Sequence, residues 1–109
     1  ILRIDAAVLD LPDIIIADRN AASEYVLFST VINGLKLLDK DRLFSRYWKH
    51  DDQIEEWRHK VEKCAEVLVP DCVTPEFIRG AYVANTTALK AFEALNSGLP
   101  VLINSGIFF

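Results

Sequence analysis

Methionine is absent from all 109 residues, and the chain opens on Ile1. Both features point to a fragment, a processed chain or a trimmed piece. The opening Ile1-Leu2-Arg3-Ile4 reads as strand inside a fold rather than as a frayed terminus. Cysteine is scarce. Cys64 and Cys72 form no CxxC pair and have no histidine at zinc-finger spacing, so no structural metal is expected. Such sparse cysteine fits a reduced, cytoplasmic setting. No apolar run approaches the roughly 18 residues of a membrane span, and no signal peptide opens the chain. Glycine and proline number only four each, which excludes low-complexity and collagen-like chains. There is no basic excess either. The net charge of −4 argues against a large generic nucleic-acid surface but leaves room for a local basic patch.

What is present is the composition of a small globular domain, 51% hydrophobic and 26% charged. A basic cluster runs through Arg42, Arg46, Lys49 and His50, then Arg58, His59, Lys60 and Lys63. Acidic residues interleave with it, so it reads first as a solvated, salt-bridged helical face.

Periodicity predicts alternating short strands and helices. Residues 1–4 read as a strand, and Ala6 to Leu11 as an apolar turn or helix ended by Pro12. Asp13 to Ala17 is a brief β-branched run that predicts a buried strand. Asp18-Arg19-Asn20-Ala21-Ala22-Ser23 is either a functional loop at that strand's C-terminal end or a plain Asx-type turn. Glu24 to Leu38 mixes periods and reads as strand or irregular structure followed by a turn at Asn33-Gly34. Asp39 to Trp48 predicts a helix capped by Asp39 or Asp41, with Leu43, Phe44, Tyr47 and Trp48 on one stripe. Asp52 to Lys63 is the clearest helix. Asp52 with Glu55 resembles a capping box, and Ile54, Trp57, Val61 and Cys64 should face inward.

Ala65 to Val69 reads as a strand, and Pro75 to Ile78 as a helical turn. Ala81 to Ala84 reads as a strand. A helix follows, capped by Asn85, Thr86 or Thr87, carrying Leu89, Phe92 and Leu95 and closed by Gly98. Pro100 to Asn104 reads as the last strand. Residues 81–104 thus form a strand-helix-strand crossover. The expected fold is mixed α/β or α+β, one domain over residues 1–109, with four or five strands flanking a cleft and two or three covering helices.

Glu66 draws attention because it opens a short, otherwise apolar strand. Alternation puts Glu66 and Leu68 on one face and Ala65, Val67 and Val69 on the other. The carboxylate then points into a cleft, caps an exposed strand end or partners Lys63.

Three blocks in order resemble the DarT family of DNA ADP-ribosyltransferase toxins. The first is Ile14-Ile15-Ile16-Ala17-Asp18-Arg19-Asn20-Ala21-Ala22-Ser23. The second is Phe44-Ser45-Arg46-Tyr47-Trp48, followed by an acidic step and a basic helix. The third is Lys63-Cys64-Ala65-Glu66-Val67-Leu68-Val69-Pro70-Asp71, then Pro75-Glu76-Phe77-Ile78. Gly98-Leu99-Pro100-Val101 and the terminal Phe108-Phe109 also look like the family's closing segment. Arg19 stands where the family usually has Gly, and Cys64 where Gln is common.

The resemblance implies an ADP-ribosyltransferase-like split sheet with flanking helices, of which this chain would be the C-terminal part, without the N-terminal segment that grips much of the NAD. It implies NAD as a consumed substrate and thymine in single-stranded DNA as acceptor, some relatives modifying guanine. A macrodomain antitoxin of the DarG type is the implied partner. Glu66 becomes the catalytic carboxylate that stabilises the positive ribose and helps take the acceptor's proton. Arg19, Asn20, Lys60 and Lys63 become substrate-binding candidates, the lysines as phosphate contacts. Tyr47, Trp48 and Trp57 offer faces for base stacking or plain helix packing. Two other readings stay open from the residues themselves. One is a non-catalytic α/β module binding nucleic acid or protein. The other is a fragment that folds only with a missing segment or as a homo-oligomer.

Overall fold

A computed structural model describes residues 1–108. Among them are six strands, β1 (Leu2–Ile4), β2 (Ile15–Ala17), β3 (Phe28–Thr30), β4 (Glu66–Leu68), β5 (Ile78–Val83) and β6 (Val101–Ile103). Four helices join them, α1 (Val31–Leu37), α2 (Lys40–Phe44), α3 (Gln53–Glu62) and α4 (Thr86–Glu93). The fold is mixed α+β, as expected, with more strands and helices than the sequence predicted. The chain divides into two compact units, one of Leu9–Asp71 and one of Ile1–Val8 with Cys72–Phe109.

The Leu9–Asp71 unit is built on β2, flanked antiparallel by β3 and β4. Its apolar, β-branched run suits a central strand: Ile14, Ile16 and Ala17 are all buried. Ile16 faces Ser29 on one side and Val67 on the other.

Residues 31–37 form α1, where the sequence suggested a turn at Asn33-Gly34. Gly34 is in the helix because it packs on the sheet. A Cβ built there would lie 2.4 Å from Ile16 Cβ, so only a residue without a side chain lets the helix approach this closely. Tertiary contact, not turn chemistry, explains this glycine.

Helix α2 is capped by Asp39, whose side chain accepts from Arg42 N–H at 3.1 Å. It stops at Phe44 rather than running to Trp48. Ser45 ends it by turning its hydroxyl onto the Tyr47 carbonyl. Phe44 and Tyr47 are consequently exposed, not part of an inward stripe.

Helix α3 starts where predicted, with the Asp52 side chain accepting from Ile54 N–H at 2.8 Å. Of the four residues expected to face inward, only Val61 is even half-buried. Ile54, Trp57 and Cys64 are exposed, while His59 is buried and Glu55, Glu56 and Glu62 are half-buried. Glu55 completes no capping box. Its carboxylate pairs with Arg58 at 3.0 Å and Arg42 at 3.5 Å.

The second unit holds the sheet β1-β5-β6. β1 pairs antiparallel with β5, Leu2 against Ala81, with a bulge between Arg3 and Ile4. β5 pairs parallel with β6, and α4 makes the crossover between them. Asn85 caps α4, accepting from Ala88 N–H at 2.9 Å. Gly80, inside β5, has φ +144, and a Cβ there would meet the Pro100 carbonyl oxygen at 2.4 Å. The left-handed step after α4 is taken by Asn96, φ +49, ahead of Gly98 at φ +73. Phe108 is part-exposed, and Phe109 of the expected aromatic terminus lies outside the described residues.

Candidate active site

The first residue of β4 is Glu66, paired in register with Ala17, the last residue of β2. The carboxylate is therefore delivered to the end of the sheet from which the Asp18–Leu27 connection leaves. Its Oε2 accepts a hydrogen bond from Ala21 N–H at 3.0 Å. Glu66 is half-buried. A backbone donor on one oxygen fixes the carboxylate's direction and leaves Oε1 outside that bond.

Asp18 builds the loop that supplies this donor. Its N–H donates to the Leu27 carbonyl at 3.2 Å, and its Oδ1 accepts from Leu27 N–H at 2.9 Å. These two bonds close the neck of the β2–β3 hairpin. Arg19 grips the same carboxylate with both prongs, Nε to Oδ1 at 3.1 Å and an Nη to Oδ2 at 2.8 Å. Arg19 foremost, and then Leu27 N–H, hold the Asp18 carboxyl below its ordinary range. The Asp18 hydrogen bond, with Glu62 as a second negative charge, raises the Arg19 guanidinium in turn.

Asn20 makes an Asx turn, its side-chain oxygen accepting from Ala22 N–H at 2.8 Å while its carbonyl accepts from Ser23 N–H at 2.9 Å. That turn exposes the intervening Ala21 N–H toward Glu66. The segment is thus an Asx turn, the plainer of its two readings, and one of its backbone N–H groups holds the Glu66 carboxylate.

The basic candidates go to different places. Lys63 donates to the Leu43 carbonyl at 3.3 Å and to the Ser45 carbonyl, tying the end of α3 to the end of α2. Lys60 is exposed on α3. Arg42 reaches across from α2 to Glu62 at 2.5 Å. Its carbonyl accepts from buried His59 at 2.8 Å, and His59 in turn meets His50 at 2.8 Å. The Arg42 carbonyl is only an acceptor, so His59 donates to it from Nε2–H, and its Nδ1 faces His50 Nε2. This polar network replaces the apolar face expected under α3.

Arg19 lines two hollows of this unit. One is a small cleft of about 110 Å³ shared with Asp18, Asp39 and Glu62. The other, about 400 Å³, is lined by Arg19, Tyr25, Trp57, Arg58 and Glu62. The sequence put Asp18 and Ala21 in a candidate loop and Arg42 and His59 in a basic cluster, but singled out none of these, nor Glu62, for this arrangement. Asp18 carried a usable signal, since an aspartate directly after a buried strand is a common loop-closing residue. Ala21 acts only through its backbone, and no side-chain pattern marks it.

The family model described as "ssDNA thymidine ADP-ribosyltransferase, DarT" matches residues 1–109. A DNA ADP-ribosyl transferase–DNA ADP-ribosyl glycohydrolase fusion protein of Thermosipho africanus (strain H17ap60334) is 30% identical over 115 residues, covering 100% of this chain and 28% of the relative. The solved structure of Thermosipho africanus DarTG in complex with ADP-ribose superposes with a TM-score of 0.71 at 27% identity. It covers 99% of this chain and 28% of that one, so the chain spans little more than a quarter of either relative. With a family match over its whole length and a shared fold, the chain belongs to the DarT family.

Proposed function

We propose that residues 1–109 are the C-terminal, glutamate-bearing part of an ADP-ribosyltransferase domain, and that the whole protein transfers ADP-ribose from NAD to a base of single-stranded DNA. Thymidine is the acceptor this reading favours, in keeping with the matched family's description. The protein would act as a cytoplasmic toxin. Its antidote would be a macrodomain glycohydrolase of the DarG type, a pairing supported by the relative in which transferase and glycohydrolase are fused.

The observation that carries this reading is the carboxylate of Glu66, aimed by Ala21 N–H at 3.0 Å from a loop braced by Asp18 and Arg19. In the reaction the bond between ribose C1′ and nicotinamide breaks, and nicotinamide leaves with the bonding pair. Positive charge builds on the ribose, as in glycoside cleavage. Glu66 faces that charge and hydrogen-bonds a ribose hydroxyl through the oxygen that Ala21 leaves outside its bond. The base attacks C1′, and its proton passes to Glu66 or to water. Preorganisation matters because the carboxylate then needs no rearrangement as charge develops. Arg19 and Asn20 hold the loop next to the donor, while Lys60 offers a cation to a passing phosphate.

The test uses the complete protein with NAD and thymine-containing single-stranded oligonucleotides, read by mass spectrometry. An ADP-ribose adduct is expected, reduced about 100-fold or more in Glu66→Ala. An adduct that survives Glu66→Gln undiminished, or no adduct on any acceptor from a folded protein, overturns the assignment. The 109-residue chain by itself is expected to be inactive.

A further inference from the structure

The cleft of about 400 Å³ on the Leu9–Asp71 unit falls within the roughly 300–1,000 Å³ of small-ligand sites. Its walls are two aromatic rings and three charged groups. Tyr25 is 70% exposed and Trp57 54% exposed, so neither ring is consumed by a core. For Trp57 this is the outcome of the way α3 is turned, with Glu55, Glu56, Val61 and Glu62 at its half-buried positions around buried His59. An apolar ring turned to solvent forgoes the stabilisation that burial would give it.

The charges of the cleft are matched in pairs. Arg19 is held by Asp18, Arg58 by Glu55, and Glu62 by Arg42. A surface so compensated offers a phosphate little net attraction. It suits a neutral planar ring with both donors and acceptors on its edge. The guanidinium N–H groups of Arg19 and Arg58 meet acceptors there, and Glu62 meets donors. A nucleobase has this character, with a π-face for Trp57 or Tyr25. Glu66 is not among the lining residues. Arg19 lies two residues beyond Ala17, the register partner of Glu66. The cleft is therefore beside the reacting carboxylate rather than at it.

We propose that this cleft holds a base flanking the one that is modified, with Trp57 as its stacking platform and Arg19, Arg58 and Glu62 reading its edge. The proposal rests on the transferase reading for its occupant. It makes Trp57 a determinant of sequence context and not a catalytic residue.

The experiment uses the complete protein and oligonucleotides with one abasic position walked along both sides of a single thymine. Binding is measured in the Glu66→Gln background, and turnover in the active protein. Trp57→Ala should weaken binding about tenfold or more, and Trp57→Phe should restore most of it. One abasic position should weaken wild-type binding by a similar factor yet add nothing to Trp57→Ala. In turnover, the loss should fall on KM, because the flanking base is held alike before and during reaction. A merely structural role for Trp57 produces no dependence on a particular abasic position. If adducts form but no abasic position couples to Trp57, the cleft assignment falls and the transferase reading stands. If the coupling is seen without any adduct, the transferase reading falls and the base-binding cleft stands. If neither coupling nor adduct is found, both fall.

Discussion

The two units are held together by different means. In the unit of Ile1–Val8 and Cys72–Phe109, the sheet β1-β5-β6 is a backbone ladder closed by one helical crossover, and a glycine admits close strand approach at Pro100. In the Leu9–Asp71 unit, side chains reach for backbone and for one another: Asp18 closes a hairpin, Glu66 takes the Ala21 N–H, and Arg42 and His59 join α2 to α3. The first arrangement is a frame set by strand pairing. The second is a set of individually placed polar contacts, one of which fixes the direction of the Glu66 carboxylate.

Glycine substitutions break this comparison most severely. Gly80→Ala would combine a strained φ with a Cβ 2.4 Å from a backbone oxygen that cannot easily yield. A loss of roughly 3 kcal/mol or more is expected. Gly34→Ala meets Ile16 at its buried Cβ, so helix α1 must give ground, but its φ is unstrained and alanine gains helix propensity worth about 1 kcal/mol. Its net loss should be smaller, about 1–2 kcal/mol. Thermal or urea unfolding of both variants checks the order, and a costlier Gly34→Ala would mean that α1 packs more rigidly than the crossover frame.

Next in size is His59→Phe. The ring would still fill its buried place, but the Arg42 carbonyl would keep only Ser45 N–H at 3.3 Å as donor and His50 would lose its partner. About 1–2 kcal/mol should be lost. The exposed ion pairs nearby contribute less, up to about 1 kcal/mol each. If Arg42→Ala proved much costlier than His59→Phe, charge rather than the buried histidine would be what fixes α3.

The same contrast explains what was legible in the sequence. The β5-α4-β6 crossover follows from apolar runs and a cap, which are local signals, and residues 81–104 show it with strand edges shifted by a few positions. The Asp13–Ala17 strand and the Glu66 strand were legible for the same reason. Helix α3 was found, but Ile54 and Trp57 of its apolar period face solvent and only Val61 is half-buried, because that period competes with partners that are far away in sequence. Arg42 lies 20 residues from Glu62 and 17 from His59. Gly34 was read as punctuation because its reason is Ile16, a contact across the sheet. Within the candidate site, Glu66 and its loop stood out by their residue types. The bond that joins them, from a backbone N–H 45 residues away, left no trace in either.

The smallest expected effect sharpens the comparison through acid. Each unit has one aspartate held below its ordinary value of 3.8. Asp5 is lowered first by Ala7 N–H and then by Arg79, and Asp18 first by Arg19. A carboxyl depressed in the folded state contributes stability that is present above its unfolded value. That contribution disappears as pH falls through the folded value. Both should therefore steepen the loss of stability below about pH 4. Asp5→Asn and Asp18→Asn should each flatten that acid limb of a melting-temperature profile, with slight loss near neutrality. Their consequences for function should differ. Asp5 braces only Arg79 and its own turn, so its removal should leave ADP-ribose transfer by the complete protein near wild type. Asp18 closes the loop that presents Ala21 N–H to Glu66. Asp18→Asn would keep part of that closure but release Arg19 from its bidentate grip, and transfer should fall several-fold. Equal transfer in the two variants would mean that the Glu66 carboxylate is oriented without the Asp18 brace, and that the loop's polar contacts serve folding alone.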